Sequence, residues 1–207
     1  MRKIIFATGN KNKAKEIHEI LKDLDFEIQT MKEAGIDIDI VEDGTTFAEN
    51  SMIKARSVFK ALPKELKGKV YVMADDSGLA IDYLNGEPGI YSARYMGEDT
   101  SYDIKNQNLI NRLDGVKKED RGARFVCAIS CICPNGEEKS VEGTIEGYIG
   151  WEIAGENGFG YDPIFYVDEY GCSTAQMTAE QKNAISHRGK ALRAMREELM
   201  KYENISG

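Results

Sequence analysis

A short apolar stretch, Lys69-Val70-Tyr71-Val72-Met73, leads directly into the acidic run Ala74-Asp75-Asp76-Ser77-Gly78-Leu79. This order predicts a buried strand that ends in an acidic loop, because open α/β sheets present polar groups at the carboxyl ends of their strands. Two adjacent acids repel each other, so we expect a cation or a shared proton beside them. A turn without a functional role is equally compatible with these letters alone, since Asp and Ser are common turn residues.

The composition is that of a globular protein. The chain has 207 residues, of which 42% are apolar and 30% charged, and we expect a single domain over residues 1–207 with no separable linker. No apolar run reaches the length of a membrane span, and the N-terminus turns polar too soon for a signal peptide, so we expect a cytoplasmic protein without a membrane partner. The net charge of -8 argues against a nucleic-acid partner.

The four cysteines form no CxxC pair and have few candidate metal-ligand neighbours. We interpret Cys127, Cys131, Cys133 and Cys172 as structural thiols in a reducing compartment.

The N-terminal residues predict a phosphate site. An apolar strand at Lys3–Thr8 breaks at a glycine turn, and an amphipathic helix follows with Ile17, Ile20, Leu21 and Leu24 at helical spacing. The first helical turn carries Lys11, Lys13 and Lys15, where the helix dipole favours anions. A strand-to-helix turn with exposed N–H groups binds anions readily. A solvated lysine face is the alternative interpretation.

A second helix is predicted from the capping box Thr46-x-x-Glu49 to about Leu62. Its apolar face would carry Ala48, Met52, Ala55 and Phe59. Asn50 and Lys54 lie one turn apart on another face, where both side chains could point into a cleft. Glu42, just before the helix, is interpreted as either a capping acid or a metal ligand.

The C-terminal half contains a hairpin and a glycine-rich loop. Alternating segments at Arg121–Cys133 and Glu138–Ile149 flank Pro134-Asn135-Gly136, a strong hairpin signal. The loop 155–163 places Phe159 among glycines, which suits stacking on a flat ring, and a strand follows at Ile164–Val167. Asp162 could bind a hydroxyl group or a base edge, or start a turn.

A capping box at Thr178-x-x-Gln181 predicts a helix, and a second start at Ser186 leads to a terminal helix with Ala191, Leu192, Met195 and Leu199 as its core stripe. Lys182, His187 and Arg188 lie near this junction and are candidates for recognising a hydrogen-bond acceptor.

These clusters together indicate a nucleoside triphosphate as substrate. The lysines and the Gly9 turn supply donors for phosphates, Glu42, Asp75 and Asp76 supply oxygen ligands for Mg²⁺, and the later cluster suits a base. Hydrolysis follows if a carboxylate activates water while the cations stabilise the developing charge. A nucleotide-binding sensor without turnover and removal of a single phosphate are the alternatives.

Six motifs in order, from residue 3 to about residue 200, resemble the inosine/xanthosine triphosphate pyrophosphatase family. They are 8–13, 42–54, 74–79, 88–95, 159–163 and 185–189. The resemblance implies an elongated two-lobed α/β fold with a long mixed, twisted sheet, a nucleotide cleft between the lobes, and a homodimer. It also implies Mg²⁺-dependent cleavage of ITP, dITP and XTP to the monophosphate and pyrophosphate.

The resemblance implies a role for each matching residue. Asp76 would be the catalytic base and a metal ligand, Ser77 a substrate contact, and Glu42 and Lys54 an acid and a lysine of the same cleft, with Glu42 as a second metal ligand. The remaining substrate-binding residues would be Thr8, Gly9, Asn10, Lys11, Asn12 and Lys13 in a first loop, Phe159, Gly160, Tyr161 and Asp162 in a second, and Lys182, His187 and Arg188 for base recognition. The sequence departs from the family pattern before Thr46, where it has a single Glu in place of two.

Overall fold

The computed structural model describes residues 2–21 and 26–206, with side chains for all of these except residues 11 and 203–206. Seven strands form one sheet: β1 (Arg2–Phe6), β2 (Phe26–Thr30), β3 (Val70–Ile81), β4 (Gly122–Ile132), β5 (Glu138–Ile149), β6 (Phe165–Val167) and β7 (Cys172–Ser173). The helices of this part of the chain are α1 (Lys11–Leu21), α2 (Phe47–Ala61), α3 (Tyr102–Arg112), α4 (Ala179–Ile185) and α5 (His187–Ser206).

The sheet is mixed, which confirms the predicted α/β class. Its strand order is β2-β1-β3-β4-β5-β6-β7. β1 runs parallel to both β2 and β3, with Ile4 opposite Ile28 and Tyr71. β5, β6 and β7 pair antiparallel. β4 and β5 are neighbours joined only by residues 133–137, as the predicted hairpin requires.

The predicted loop at 74–79 is wrong, because β3 continues without a break from Val70 to Ile81. Asp75 and Asp76 remain in the strand because each carboxylate has a cation beside it and does not need water. Gly78 keeps the strand regular where the chain is crowded, since a Cβ there would lie 2.4 Å from the Gly89 oxygen and from Ser92 Oγ. The Leu79 N–H donates to the same Ser92 Oγ at 2.9 Å.

The chain divides into two compact units. Unit 1 contains the residues up to Asp76, Cys127–Gly143, and the residues from Arg188 onward; unit 2 contains Ser77–Val126 and Thr144–His187. The division runs through β3, β4 and β5, so each of these strands contributes residues to both units.

Unit 1 has an apolar core on each face of its strands. On one face, Ile4, Phe6, Tyr71 and Met73 pack with residues of α1 and α5. On the other face, Ile5, Ala7, Val70, Val72 and Ala74 pack with Ala55 and Val58 of α2. Because successive strand residues point to opposite faces, each of β1 and β3 contributes alternate residues to the two cores.

Helix α2 begins as predicted, but its most buried face is not the predicted one. The Thr46 hydroxyl caps the helix by accepting the Glu49 N–H. The buried residues of α2 are Asn50, Ser51, Lys54, Ala55 and Val58, whereas Ala48, Met52 and Phe59 are only half-buried. A polar stripe therefore faces the interior of unit 1.

Unit 2 has a single large apolar core. Leu109, Ile110 and Leu113 at the end of α3 pack against strand residues that include Leu79, Phe125, Ile149 and Phe165. Helix α4 begins at the predicted capping box, in which the Thr178 hydroxyl accepts the Gln181 N–H and the Gln181 side chain accepts the Thr178 N–H.

The core stripe of α5 is confirmed, with Ala191, Leu192, Met195 and Leu199 buried in unit 1. Leu24 of the predicted first helix lies outside the described residues. All four cysteines are free thiols. No helix within residues 2–21 and 26–206 is long and apolar enough to cross a membrane.

Candidate active site

The two adjacent aspartates of β3 point to opposite faces of the strand. Tyr71 and Met73 belong to the core beneath α1 and α5, and Asp75 continues this alternation. Val72 and Ala74 belong to the core beneath α2, and Asp76 continues that series. One short sequence therefore supplies two separate acidic positions in unit 1, with different cations in direct contact.

Asp75 is held between lysine and arginine side chains. It is 1% exposed, and its Oδ2 lies 3.0 Å from Lys13 Nζ and 3.3 Å from Arg188 Nη2. Burial alone would favour the protonated acid, but Lys13, Arg188 and Lys54 outweigh it and hold the pKa of Asp75 well below its ordinary value. Asp75 is therefore ionised at neutral pH.

Arg188 is a fully buried cation of the same cluster. Besides Asp75 it donates to Glu16 of α1, and these carboxylates raise the pKa of its guanidinium against the opposing effect of burial. Its bonds therefore link the first turn of α5 to both β3 and α1.

Asp76 lies against Lys54 of α2. Lys54 Nζ is 3.4 Å from Asp76 Oδ1 and 3.0 Å from Glu42 Oε2, so one ammonium bridges two acids. Burial raises the pKa of Asp76 above its ordinary value, partly offset by Lys54 and Lys13. The second oxygen, Oδ2, is buried and accepts no hydrogen bond from the described residues. A buried carboxylate with a raised pKa and an unused oxygen is suited to accept a proton.

The pKa of Lys54 is raised although burial opposes the rise, because Asp76, Asp75 and Glu42 all favour its charged form. Lys54 is thus a buried ammonium that stays charged at neutral pH. It offsets part of the negative charge of Asp76 and Glu42.

The glycine turn after β1 is organised by Asn10. The Asn10 Oδ1 accepts the N–H groups of Asn12 and Lys13 at 2.9 and 3.2 Å, so Asn10 caps α1. Thr8 Oγ1 accepts the Asn10 N–H at 3.1 Å. The N–H groups of Asn12 and Lys13, which were predicted to bind a phosphate, therefore already donate to Asn10. A phosphate at this turn would therefore be bound mainly by lysine side chains.

The lysines of this turn differ in position. Lys13 reaches into the Asp75 cluster, whereas Lys15 is exposed. The side chain of Lys11 lies outside the described part of the structure. A Cβ at Gly9 would meet nothing within 4 Å, so the turn has open space beside it.

In unit 2, Asp162 organises the glycine-rich loop. It is 3% exposed; its Oδ2 accepts the Phe159 N–H at 2.8 Å and Lys182 Nζ at 2.7 Å, and its Oδ1 accepts Thr174 Oγ1 at 2.8 Å. Lys182 Nζ also lies 5.2 Å from the centre of the half-buried Phe159 ring. The predicted residues Phe159 and Asp162 of the loop and Lys182 of α4 are thus brought together.

The neighbouring loop residues are held by α3 and by the turn before it. Asn106 Nδ2 donates to the Gly160 oxygen at 3.1 Å. The Tyr161 hydroxyl donates to the Ser92 oxygen at 2.7 Å, and burial raises the pKa of that hydroxyl. Tyr161 therefore anchors the loop within the core of unit 2.

The predicted base-recognition residues are divided between the units. Lys182 and His187 belong to unit 2, where the His187 ring stacks on Phe125 with centroids 4.9 Å apart. Arg188 belongs to unit 1. Ser77, which follows Asp76 in the chain, is half-buried at the start of unit 2.

Comparison with known proteins identifies the family. The model of the family described as Ham1 matches residues 4–198. The chain belongs to the Ham1 family. It is 49% identical over 199 residues to the dITP/XTP pyrophosphatase of Clostridium perfringens, covering 96% of this chain and 98% of that protein. It is 45% identical over 195 residues to the dITP/XTP pyrophosphatase of Bacillus subtilis, covering 94% and 96%.

Solved structures of Ham1 proteins have the same fold. The Ham1 protein of Staphylococcus aureus superimposes with a TM-score of 0.84 at 42% identity, covering 97% of this chain and all of that one. A nucleoside-triphosphatase / dITP/XTP pyrophosphatase of Mycobacterium abscessus gives a TM-score of 0.72 at 38% identity, covering 93% and 98%. The family predicted from the six motifs is confirmed.

The acids of this Ham1 chain suit Mg²⁺ better than a metal ion that is coordinated entirely by protein side chains. The described residues contain no group of three or more His, Cys, Asp or Glu side chains that could hold a metal ion. Mg²⁺ typically binds one or two carboxylates and completes its shell with water and substrate phosphates. Asp76, with its unused Oδ2, and Glu42, on the same lysine, provide such a pair.

The sequence did not indicate two residues that contact the candidate site, Glu16 and Asn106. Glu16 joins the Asp75 cluster through Arg188, which is 172 positions away, so no local pattern indicates the pairing. Asn106 supports Gly160 from 54 positions away. In both cases the contact depends on tertiary packing.

Proposed function

We propose that this Ham1-family chain hydrolyses deaminated purine nucleoside triphosphates, namely ITP, dITP and XTP, to the monophosphate and pyrophosphate. The observation that carries the proposal is Asp76, a buried carboxylate with one unused oxygen beside Lys54. The proposal is supported by two curated relatives that match nearly the full length of the chain and are named dITP/XTP pyrophosphatases.

The proposed reaction is attack of water on the α-phosphorus. The water oxygen forms the new bond to phosphorus, the bond from the α-phosphorus to the bridging oxygen breaks, and pyrophosphate leaves with that oxygen. Asp76, whose Oδ2 accepts no hydrogen bond from the described residues, accepts the proton of the attacking water. Lys13 and Lys54 stabilise the negative charge that develops on the phosphate oxygens.

We propose Mg²⁺ as the cofactor, with Asp76 and Glu42 as its protein ligands. When bound, Mg²⁺ supplies positive charge to the triphosphate and to the leaving pyrophosphate. Both carboxylates contact Lys54 Nζ, so the lysine offsets part of their charge and holds the two acids close together. The adjoining turn, Thr8 to Lys13, and Ser77 complete the proposed contacts to the substrate.

The base-binding residues are proposed to be those of the unit 2 loop, with Lys182 and His187. The Phe159 ring is half-buried and its position is set by Asp162, so it is suited to stack on a purine. A 6-oxo group accepts hydrogen bonds, whereas the amino group of adenine donates them. A site built from donors therefore rejects adenine strongly, because its own buried donors would be left unpaired.

We also propose that Arg188 takes part in base recognition, as the sequence predicts. The hydrogen bonds described for Arg188 go to Asp75 and Glu16. We propose further that the protein is a cytoplasmic homodimer. The location is supported by four cysteines that remain free thiols, and the homodimer by the family resemblance.

Product analysis tests the proposed function. The purified protein is incubated with ITP, dITP, XTP, ATP and GTP, with Mg²⁺ or with a chelator, and the phosphate products are separated. We expect pyrophosphate and the monophosphate from the first three nucleotides, only when Mg²⁺ is present. Orthophosphate would instead indicate removal of a single phosphate. Intact ITP that binds without turnover would indicate a nucleotide sensor.

A further inference from the structure

Asn50 is a fully buried polar residue of α2 with a distinctive hydrogen bond. Its Oδ1 accepts the Gly44 N–H at 2.9 Å. Because a backbone N–H only donates, this bond fixes the orientation of the amide and directs Nδ2 away from Gly44. The Nδ2 is buried and has no hydrogen-bond partner among the described residues.

The bond ties α2 to the segment that carries Glu42. We call residues 42–46 the pre-helix segment. Helix α2 holds it through Asn50 at Gly44, through Glu49 Oε2, which accepts the Thr45 N–H and hydroxyl at 2.6 and 2.8 Å, and through Lys54 at Glu42. Asn50 and Lys54 are one helical turn apart, so they act on this segment from the same side of α2.

Gly44 has no room for a side chain at this contact. A Cβ there would lie 2.7 Å from Asn50 Oδ1 and 2.8 Å from Glu49 Cβ. The close approach of the backbone to α2 is therefore part of the arrangement, and a larger residue would displace the pre-helix segment.

The unused Nδ2 argues against a purely stabilising role for Asn50. A buried donor without a partner costs free energy, and an apolar residue of similar size would avoid that cost. Polar groups retained at such a cost are expected where function requires them.

We propose that Asn50 is a positioning residue for catalysis. By holding Gly44, it fixes the pre-helix segment so that Glu42 stays on Lys54 beside Asp76. The inference rests on the proposed function, in which Glu42 and Lys54 act on the metal-bound triphosphate.

The test uses four variants: Asn50→Ala, Glu42→Gln, the two combined, and Ser51→Ala. Ser51 is a matched control because it is equally buried on α2, and its Oγ bonds to Ser130 Oγ at 2.6 Å, with no bond described to the pre-helix segment. For each variant we would measure the melting temperature, kcat and KM for ITP, the Kd of an α,β-methylene analogue of ITP with Mg²⁺, and hydrogen exchange at the Gly44 amide.

We expect Asn50→Ala to lower kcat/KM by about ten- to a hundredfold, to weaken analogue binding and to deprotect the Gly44 amide. Ser51→Ala should lower the melting temperature but keep kcat/KM, analogue affinity and Gly44 protection. Combined with Glu42→Gln, Asn50→Ala should add little further loss, because both act through the same contact. If Asn50→Ala does not fold, Gly44→Ala is expected to give the same loss.

The inference is overturned if Asn50→Ala behaves like Ser51→Ala in all four measurements, or if its effect multiplies fully with that of Glu42→Gln. A wild-type protein that releases no pyrophosphate from ITP contradicts the proposed function instead. The structural contact is then still tested by Gly44 hydrogen exchange, which needs no substrate.

Discussion

At the scale of single residues, Asp75 and Asp76 are neighbours with different chemistry. Asp75 is surrounded by cations and its pKa is lowered, whereas burial raises the pKa of Asp76. The alternation of β3 explains the difference, because it places the two carboxylates under different helices. Asp75 is therefore suited to organise the site and Asp76 to react.

Replacing each aspartate by asparagine should separate these roles. Asp76→Asn should lower kcat for ITP by about 10³-fold, since the proton acceptor is lost, while the melting temperature stays near that of the wild type. Asp75→Asn should destabilise the fold by about 3 kcal/mol, because Arg188 and Lys13 lose a buried partner. Thermal unfolding and steady-state kinetics on both variants check this. Equal losses of activity and stability in the two variants would contradict the division of roles.

The pH dependence of stability follows from the lowered pKa of Asp75. The unfolded chain has an ordinary Asp pKa of about 3.9, so the stabilisation from Asp75 is complete above about pH 4 and is lost as the pH falls towards the lower folded value. The free energy of unfolding, measured with denaturant between about pH 7 and pH 3, should fall more steeply with decreasing pH in the wild type than in Asp75→Asn. Asp82→Asn is the control, because the Asp82 ion pair with Arg124 is exposed. If Asp75→Asn loses as much stability at low pH as the wild type does, groups other than Asp75 cause the loss.

At the scale of elements, local signals in the sequence predicted most of the fold. The capping boxes at Thr46 and Thr178 and the turn at 134–136 each lie within a few residues of the element they start or connect, and their predictions are confirmed. The path of β3 through 74–79 was not predictable from local propensity. It depends on Lys13, Lys54 and Arg188, and Arg188 is 113 positions from Asp75.

The buried face of α2 also depends on residues that are distant in the sequence. The positions of Asn50 and Lys54 on one face were predicted, but the burial of that face depends on the acids of β3 and of the pre-helix segment. Hydrophobic periodicity alone favours the apolar face as the buried one. A buried polar stripe of this kind becomes visible only with the tertiary structure.

The glycine-rich loop of unit 2 provides a prediction at this scale. Gly158 has a φ of +74°, and a Cβ there would lie 2.2 Å from Asp162 Oδ2 and 3.2 Å from Lys182 Nζ. Gly158→Ala should therefore disturb both the loop and the proposed base selectivity, lowering the ratio of kcat/KM for ITP to that for ATP. Gly136→Ala is the matched control, because Gly136 has a similar φ of +89° and open space. It should cost only the backbone strain of about 1–2 kcal/mol. Unchanged selectivity in Gly158→Ala would contradict the role of the loop.

At the scale of the whole molecule, both units contribute residues to the proposed site. Unit 1 carries the acids and lysines proposed to act on the triphosphate, together with Arg188, and unit 2 carries the loop and Lys182 proposed to bind the base. The net charge of -8 is compatible with an anionic substrate, because the buried Lys54 and Arg188 and the half-buried Lys13 all lie at the acids of β3.

Isotopic labelling tests most directly whether water attacks the α-phosphorus of the nucleotide. ITP is hydrolysed with Mg²⁺ in water enriched in ¹⁸O, and the products are analysed by mass spectrometry. Attack at the α-phosphorus places one ¹⁸O atom in the inosine monophosphate and leaves the pyrophosphate unlabelled. Label in the pyrophosphate would show attack at the β-phosphorus, and labelled orthophosphate with inosine diphosphate would show loss of the terminal phosphate; either result would contradict the assignment.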